Sequence, residues 1–196
     1  MEREVRTIAT ELRLMPEDNA CKTKRIGGYA ARFNSLSQDL GGFVEQIAPG
    51  AFAKSLQTAD IRCLFNHDAN FVLGRTVSGT LRVTEDEFGL MYECDMPDTQ
   101  MARDMVQSPI ERGDVSQCSF GFYTIRDSWA TVEGRQVRTL LECELLDVSP
   151  VTYPAYLNTD VAARSMSAAH KGEFNNTFYG DITDGMRRRL DLLELG

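Results

Sequence analysis

At 196 residues, with 42% hydrophobic and 26% charged side chains, the chain has the size and balance of one folded domain, which excludes wholesale disorder and collagen-like or low-complexity architectures. Acidic residues outnumber basic ones 29 to 21 for a net charge of -8, so a polyanion would meet net repulsion and nucleic acid is not an expected partner. No apolar run approaches the roughly 18 residues of a membrane helix, and the charged opening MEREVRTIATELRL lacks a signal peptide's apolar stretch; a soluble, non-secreted protein with no membrane partner is expected.

Short runs with period-two alternation, separated by turn signals, predict strands over residues 5–14, 26–33, 43–47, 61–65, 80–84, 90–96, 115–125 and 138–148. Gly27-Gly28, Gly41-Gly42, Pro49-Gly50 and the 85–89 segment punctuate them. Helices are expected over 51–57 and 99–112, the second capped by Asp98, ended by Gly113 and kinked or broken at Ser108-Pro109. The pattern is α+β, mainly β, with strands enough for a small closed sheet. Beyond Ala162 the composition turns small and polar, so a domain over 1–164 followed by a flexible tail over 165–196 is expected, the tail closing on the amphipathic run MRRRLDLLEL.

Cys21, Cys63, Cys94, Cys118 and Cys143 form no C-x-x-C pair and lie mostly in apolar or alternating runs, as small buried thiols do; neither a disulfide framework nor a zinc site is expected. His67 and His170 are the only histidines, and no metal or other cofactor is implied.

Three short runs hold candidate chemistry. In Asp114-Val115-Ser116-Gln117-Cys118-Ser119-Phe120-Gly121-Phe122, strand parity sends Cys118, Phe120 and Phe122 to the core and faces Ser119 outwards beside Gly121; Ser116 falls on the core side. A polar residue on a solvated strand face would look the same. In Asn66-His67-Asp68, His67 is the one histidine of the globular body and the obvious imidazole base, although a hydrogen-bonded turn residue fits equally. Strand parity would put His67 with Cys63 and Phe65, so the strand must end or twist before it for His67 to meet Ser119. In Leu141-Glu142-Cys143-Glu144-Leu145, parity places Glu142 and Glu144 opposite the apolar face, where a carboxylate is available to an imidazole N–H or simply to solvent.

The ordered motifs GYAARFNSLSQDLGGFVEQIAPGAFAKSL, NHD, LGRTVSGTLRVTEDEFGL, MPDTQMARDM, RGDVSQCSFGFY and LLECELLDVSPVTYPAY resemble the prohead maturation proteases of tailed bacteriophages of the HK97 type, over about residues 28–155. The resemblance implies a serine endopeptidase with a fold related to the herpesvirus assembly proteases, a small barrel-like, antiparallel-rich sheet flanked by a few helices. His67 matches the histidine of the family's N/Q-H-D motif, Ser119 the serine of S-[FI]-G-F, and Glu144 the glutamate of E-L-x-[DE]-V-S; Asp147, Glu142 and Asp95 are alternatives for the third position. It further implies cleavage of the scaffold region of the major capsid protein and of the protease itself, inside the immature procapsid in the bacterial host cytoplasm, with self-association left open and no cofactor required. Two rivals stand beside this: Cys118 as nucleophile, and a catalytically inactive capsid-assembly component with the same fold.

Overall fold

A computed structural model of the chain describes residues 2–8, 12–15 and 24–153. All of them fall within the first of the chain's two units, Met1–Ala162, and the expected tail, with its boundary at 164, lies outside the described residues.

The expected first strand divides into β1 (Glu4–Ile8) and β2 (Arg13–Leu14), which enter different sheets. β3 (Arg25–Arg32), β4 (Phe43–Ile47) and β5 (Arg62–Phe65) follow their predicted runs, with a short helix α1 (Ser55–Thr58) before β5. β6 (Asp68–Arg75) falls outside the predicted strands, because its opening Asp68-Ala69-Asn70 carries no large apolar residue to set an alternation. β7 (Leu81–Glu85) and β8 (Gly89–Asp95) form a hairpin with the expected turn between them.

The helical run comprises α2 (Gln100–Ala102), a π-helical segment Arg103–Gln107 and α3 (Ser108–Arg112). Thr99, not Asp98, caps it: its hydroxyl accepts the Ala102 N–H at 3.2 Å, while Asp98 pairs with Arg103. Pro109 lacks the N–H an α-helix interior needs, and the wider π turn immediately before α3 is where the helical register changes. Gly113 ends the run at φ +82°, as a left-handed terminator does.

β9 (Gln117–Val132) and β10 (Arg135–Val151) make a long antiparallel hairpin closed by Glu133 (φ +50°) and Gly134 (φ +79°), the two positive-φ positions of a tight primed turn. One sheet runs β1-β9-β10-β5-β6, with β4 also paired to β10; the other runs β2-β3-β8-β7. β4 and β5 lie parallel to β10 and the remaining pairs are antiparallel, so the fold is mainly β and antiparallel-rich, open-edged rather than a closed barrel. The two sheets share one core. Ile26, Leu90, Tyr92 and Cys94 from one meet Cys118, Phe120, Phe122, Leu145 and Val148 from the other, all buried. Full burial of each large side chain among them contributes about 1.5–3 kcal/mol. Phe120 stacks on Phe122 at 5.0 Å and meets Phe52 edge-on at 5.6 Å, which fixes the phase of β9 and hence which side Ser119 takes.

Candidate active site

Ser119 stands on β9 between the core residues Cys118 and Phe120, on the opposite face with Gly121, as period-two alternation requires. It does not face solvent. Its exposure is 0%, because β1 lies alongside with Thr7 opposite Ser119 and His67 reaches over it. Sequence parity separates core face from outer face, but it does not show what else covers the outer one.

His67 reaches this position through its backbone. Asn66 and His67 have φ of +54° and +59° and are the two central residues of the turn between Phe65 on β5 and Asp68 on β6, the positive-φ pair of a primed hairpin turn. The strand therefore ends at Phe65 and the imidazole leaves the core side, as its meeting with Ser119 demands. A histidine in the left-handed region costs about 1–2 kcal/mol. The turn is held to the end of β10: Asn66 N–H donates to the Pro150 carbonyl at 3.0 Å, its Nδ2 donates to Thr152 Oγ1 at 3.1 Å, and its Oδ1 accepts from Thr152 N–H at 2.8 Å.

The imidazole bridges two side chains, with Nε2 2.6 Å from Ser119 Oγ and Nδ1 2.9 and 3.0 Å from the two carboxylate oxygens of Asp147. Asp147, 2% exposed, also accepts from Arg3 Nη2 at 2.7 and 3.0 Å, so its carboxylate is buried but doubly partnered. Simple alternation from Leu145 would put Asp147 on the core side. An irregularity between Leu145 and Asp147, where Leu146 is the extra residue, reverses the phase. Leu145 thus pairs with Phe122 and Val148 with Phe120 in the core, while Asp147 comes opposite Gly121 and Ser149 opposite Ser119.

Glu144, the expected third member, is exposed and opposite Tyr123, four residues along β9 from Ser119. It shares the face but lies roughly 13 Å down the strand. Glu142 pairs with Lys54 at 2.9 Å, and Asp95 belongs to the other sheet, where a hydrogen bond from Arg82 is the main influence holding its carboxyl down at about 2. Of the four carboxylates considered, only Asp147 touches His67.

Ser116 is exposed and not core-facing, because β9 begins at Gln117 and alternation does not extend back to it. Cys118 is buried on the core face, its sulfur 3.3 Å from the Tyr92 hydroxyl, on the side of β9 away from His67. Phe120 and Gly121, expected near the oxyanion position, lie between two ladders, opposite Arg6 and Val5 on β1 and Val148 and Asp147 on β10. His170 lies outside the described residues.

A hydroxyl, an imidazole and a carboxylate linked in this order can relay a proton away from the hydroxyl as it attacks a carbonyl and return it to a leaving group, the working set of serine hydrolases. The chain belongs to the caudovirus prohead serine protease family, whose model (Peptidase_S78) matches residues 10–173. Among solved structures it is similar to the bacteriophage T4 capsid assembly protease, gp21, at 10% identity and a TM-score of 0.52, over 78% of this chain and 98% of that one. At that identity the likeness is one of fold. No curated protein matches.

Proposed function

We propose that the chain hydrolyses peptide bonds through an acyl-enzyme on Ser119, with His67 as general base and then general acid and Asp147 holding the imidazole by Nδ1. The observation that carries this is the single imidazole within 2.6 Å of Ser119 Oγ on one side and 2.9 Å of the Asp147 carboxylate on the other. With Nδ1–H donated to Asp147, Nε2 is left as the acceptor for the hydroxyl proton, and the carboxylate stabilises the imidazolium formed on transfer. Nothing in this sequence of steps draws on a metal or an organic cofactor.

The substrates we assign are the scaffold region of the major capsid protein and the protease itself, processed within the immature shell in the host cytoplasm. Family membership as a prohead protease supports the capsid as target. Co-expression with the cognate capsid protein, with the new termini identified by mass spectrometry, tests activity and specificity together. Defined termini that disappear with Ser119→Ala support the proposal; no processing by the intact chain, or processing that survives Ser119→Ala, overturns it and favours an inactive assembly component or another nucleophile.

A further inference from the structure

A nucleophile with 0% exposure cannot receive a peptide, so something over Ser119 has to move. The groups on it come from two places: the His67 turn, which the chemistry needs, and the start of the chain, which it does not. Residues 3–7 touch two of the three linked side chains directly. Arg3 donates to Asp147 at 2.7 Å, the Arg6 carbonyl accepts from Ser119 Oγ at 2.9 Å, and Thr7 Oγ1 donates to the same Oγ at 3.2 Å. β1 also fills the edge of β9 in antiparallel register from Glu4 opposite Phe122 to Ile8 opposite Cys118.

We propose that β1 is a resident pseudosubstrate: the edge of β9 from Cys118 to Phe122 is the binding site for the extended strand of a peptide substrate, and residues 4–8 of this chain occupy it in the resting protein. The inference rests on Ser119 being the nucleophile. Extended peptides bind sheet edges through main-chain hydrogen bonds, and β1 makes that kind of pairing at the strand that carries the reactive hydroxyl. The pose is inhibitory and not productive. Ser119 has one hydroxyl proton, and the Arg6 carbonyl competes with His67 Nε2 for it; a hydroxyl donating to a carbonyl oxygen is not poised over the carbonyl carbon. Displacing β1 returns that proton to His67 and opens the edge of β9 at Phe120 and Gly121, opposite which Arg6 and Val5 now sit.

Two further features bear on this site. Among the described residues, the buried side-chain atoms without a hydrogen-bond partner are Ser149 Oγ and Gln117 Oε1. Both lie on the Ser119 face, Ser149 directly opposite Ser119 on β10 and Gln117 two residues before it on β9, outside the stretch that β1 pairs with, so polar groups close to Ser119 stay unmet in the resting protein. The latch, by contrast, is well built. Arg6 donates to Glu45 at 2.7 Å and to Glu4 at 2.7 Å, and Glu4 and Glu45 both accept from the buried Arg138. Release is therefore a distinct step, opposed by ion pairs that anchor β1 outside the reacting groups.

The test is the rate at which a fluorophosphonate labels Ser119 in the full chain, compared with Arg6→Ala, which weakens the latch. Labelling at least tenfold faster in folded Arg6→Ala supports the proposal. Equal rates in the folded variant overturn it. Hydrogen exchange on the wild-type chain decides independently of any variant: amides of residues 5–8 lose protection on labelling while β10 keeps its own, and retained protection in the labelled protein sinks the idea. Failure of the nucleophile assignment is separate, since label would then persist in Ser119→Ala.

Discussion

Gly121 and Asp147 face each other across β9 and β10 so closely that a methyl group on Gly121 would stand 2.5 Å from Asp147 Oδ2 and 3.0 Å from Arg3 Nη2. The glycine is the space in which the carboxylate lies. Gly121→Ala is expected to push Asp147 off the His67 ring, costing about 1–3 kcal/mol of stability through overpacking. Capsid-protein processing should fall by more than tenfold; thermal unfolding and a processing time course measure the two effects, and full activity would show that the carboxylate can sit elsewhere.

Asp147→Asn should lower turnover by roughly 10⁴-fold, because the amide holds the imidazole in the wrong tautomer without disturbing the packing. Glu144→Gln, at an exposed position opposite Tyr123, should stay within about twofold of the wild type. Steady-state cleavage of a capsid-derived peptide separates the two, and exchanged behaviour would return the third role to Glu144.

Ser119→Ala and His67→Ala should each remove processing, and the double variant should be no worse than either, because members of one catalytic unit are strongly non-additive. Additive losses would show that the two residues act in separate steps. Ser116→Ala, outside β9 and exposed, should process normally.

The buried ion pairs predict how stability follows pH. Burial alone raises the Glu4 carboxyl, but hydrogen bonding and charge from Arg138, with Arg6 adding to it, outweigh that and leave it below its ordinary value of 4.5. A depressed carboxylate stabilises the fold fully above its unfolded value and loses that contribution as pH falls through the folded one. The urea midpoint should therefore drop as pH falls below about 4.5, and less so in Glu4→Gln. A midpoint independent of pH in that window would contradict the assignment.

The alternation Cys118, Phe120, Phe122 is legible because three large or thiol side chains at spacing two have only one way into the core, and it places Ser119 on the working face. His67 is legible by elimination and by motif, and the need for the chain to turn before it is met by two consecutive positive-φ residues. Asp147 is legible only as one alternative among several, since its face depends on one extra residue at Leu146, and a bulge carries no periodicity of its own. Glu144 is on the correct side for a reason that parity captures, and too far along for a reason that only the inter-strand register reveals. The cover over Ser119 is hidden for another reason: its partners are separated by 112 residues of chain, and a charged N-terminal strand reads locally like any edge strand. The part of β9 beyond Ile125 and the first three residues of β10 lie outside the predicted strands because charged Arg126, Asp127 and Arg135 break the apolar alternation, though Arg138 and Asp127 pair at 2.6 Å.

A strand that belongs to the same chain as the site it fills is a tethered competitor. For a short connection, its effective concentration is on the order of millimolar, whatever the concentration of the protein itself. A dilute peptide offered to β9 would lose that contest even with equal contacts, whereas protein packed at comparable density inside a closed shell would not. The covalent link between β1 and the rest of the domain would thus make the enzyme responsive to crowding by its substrate, with a threshold set by chain length and not by a separate inhibitor.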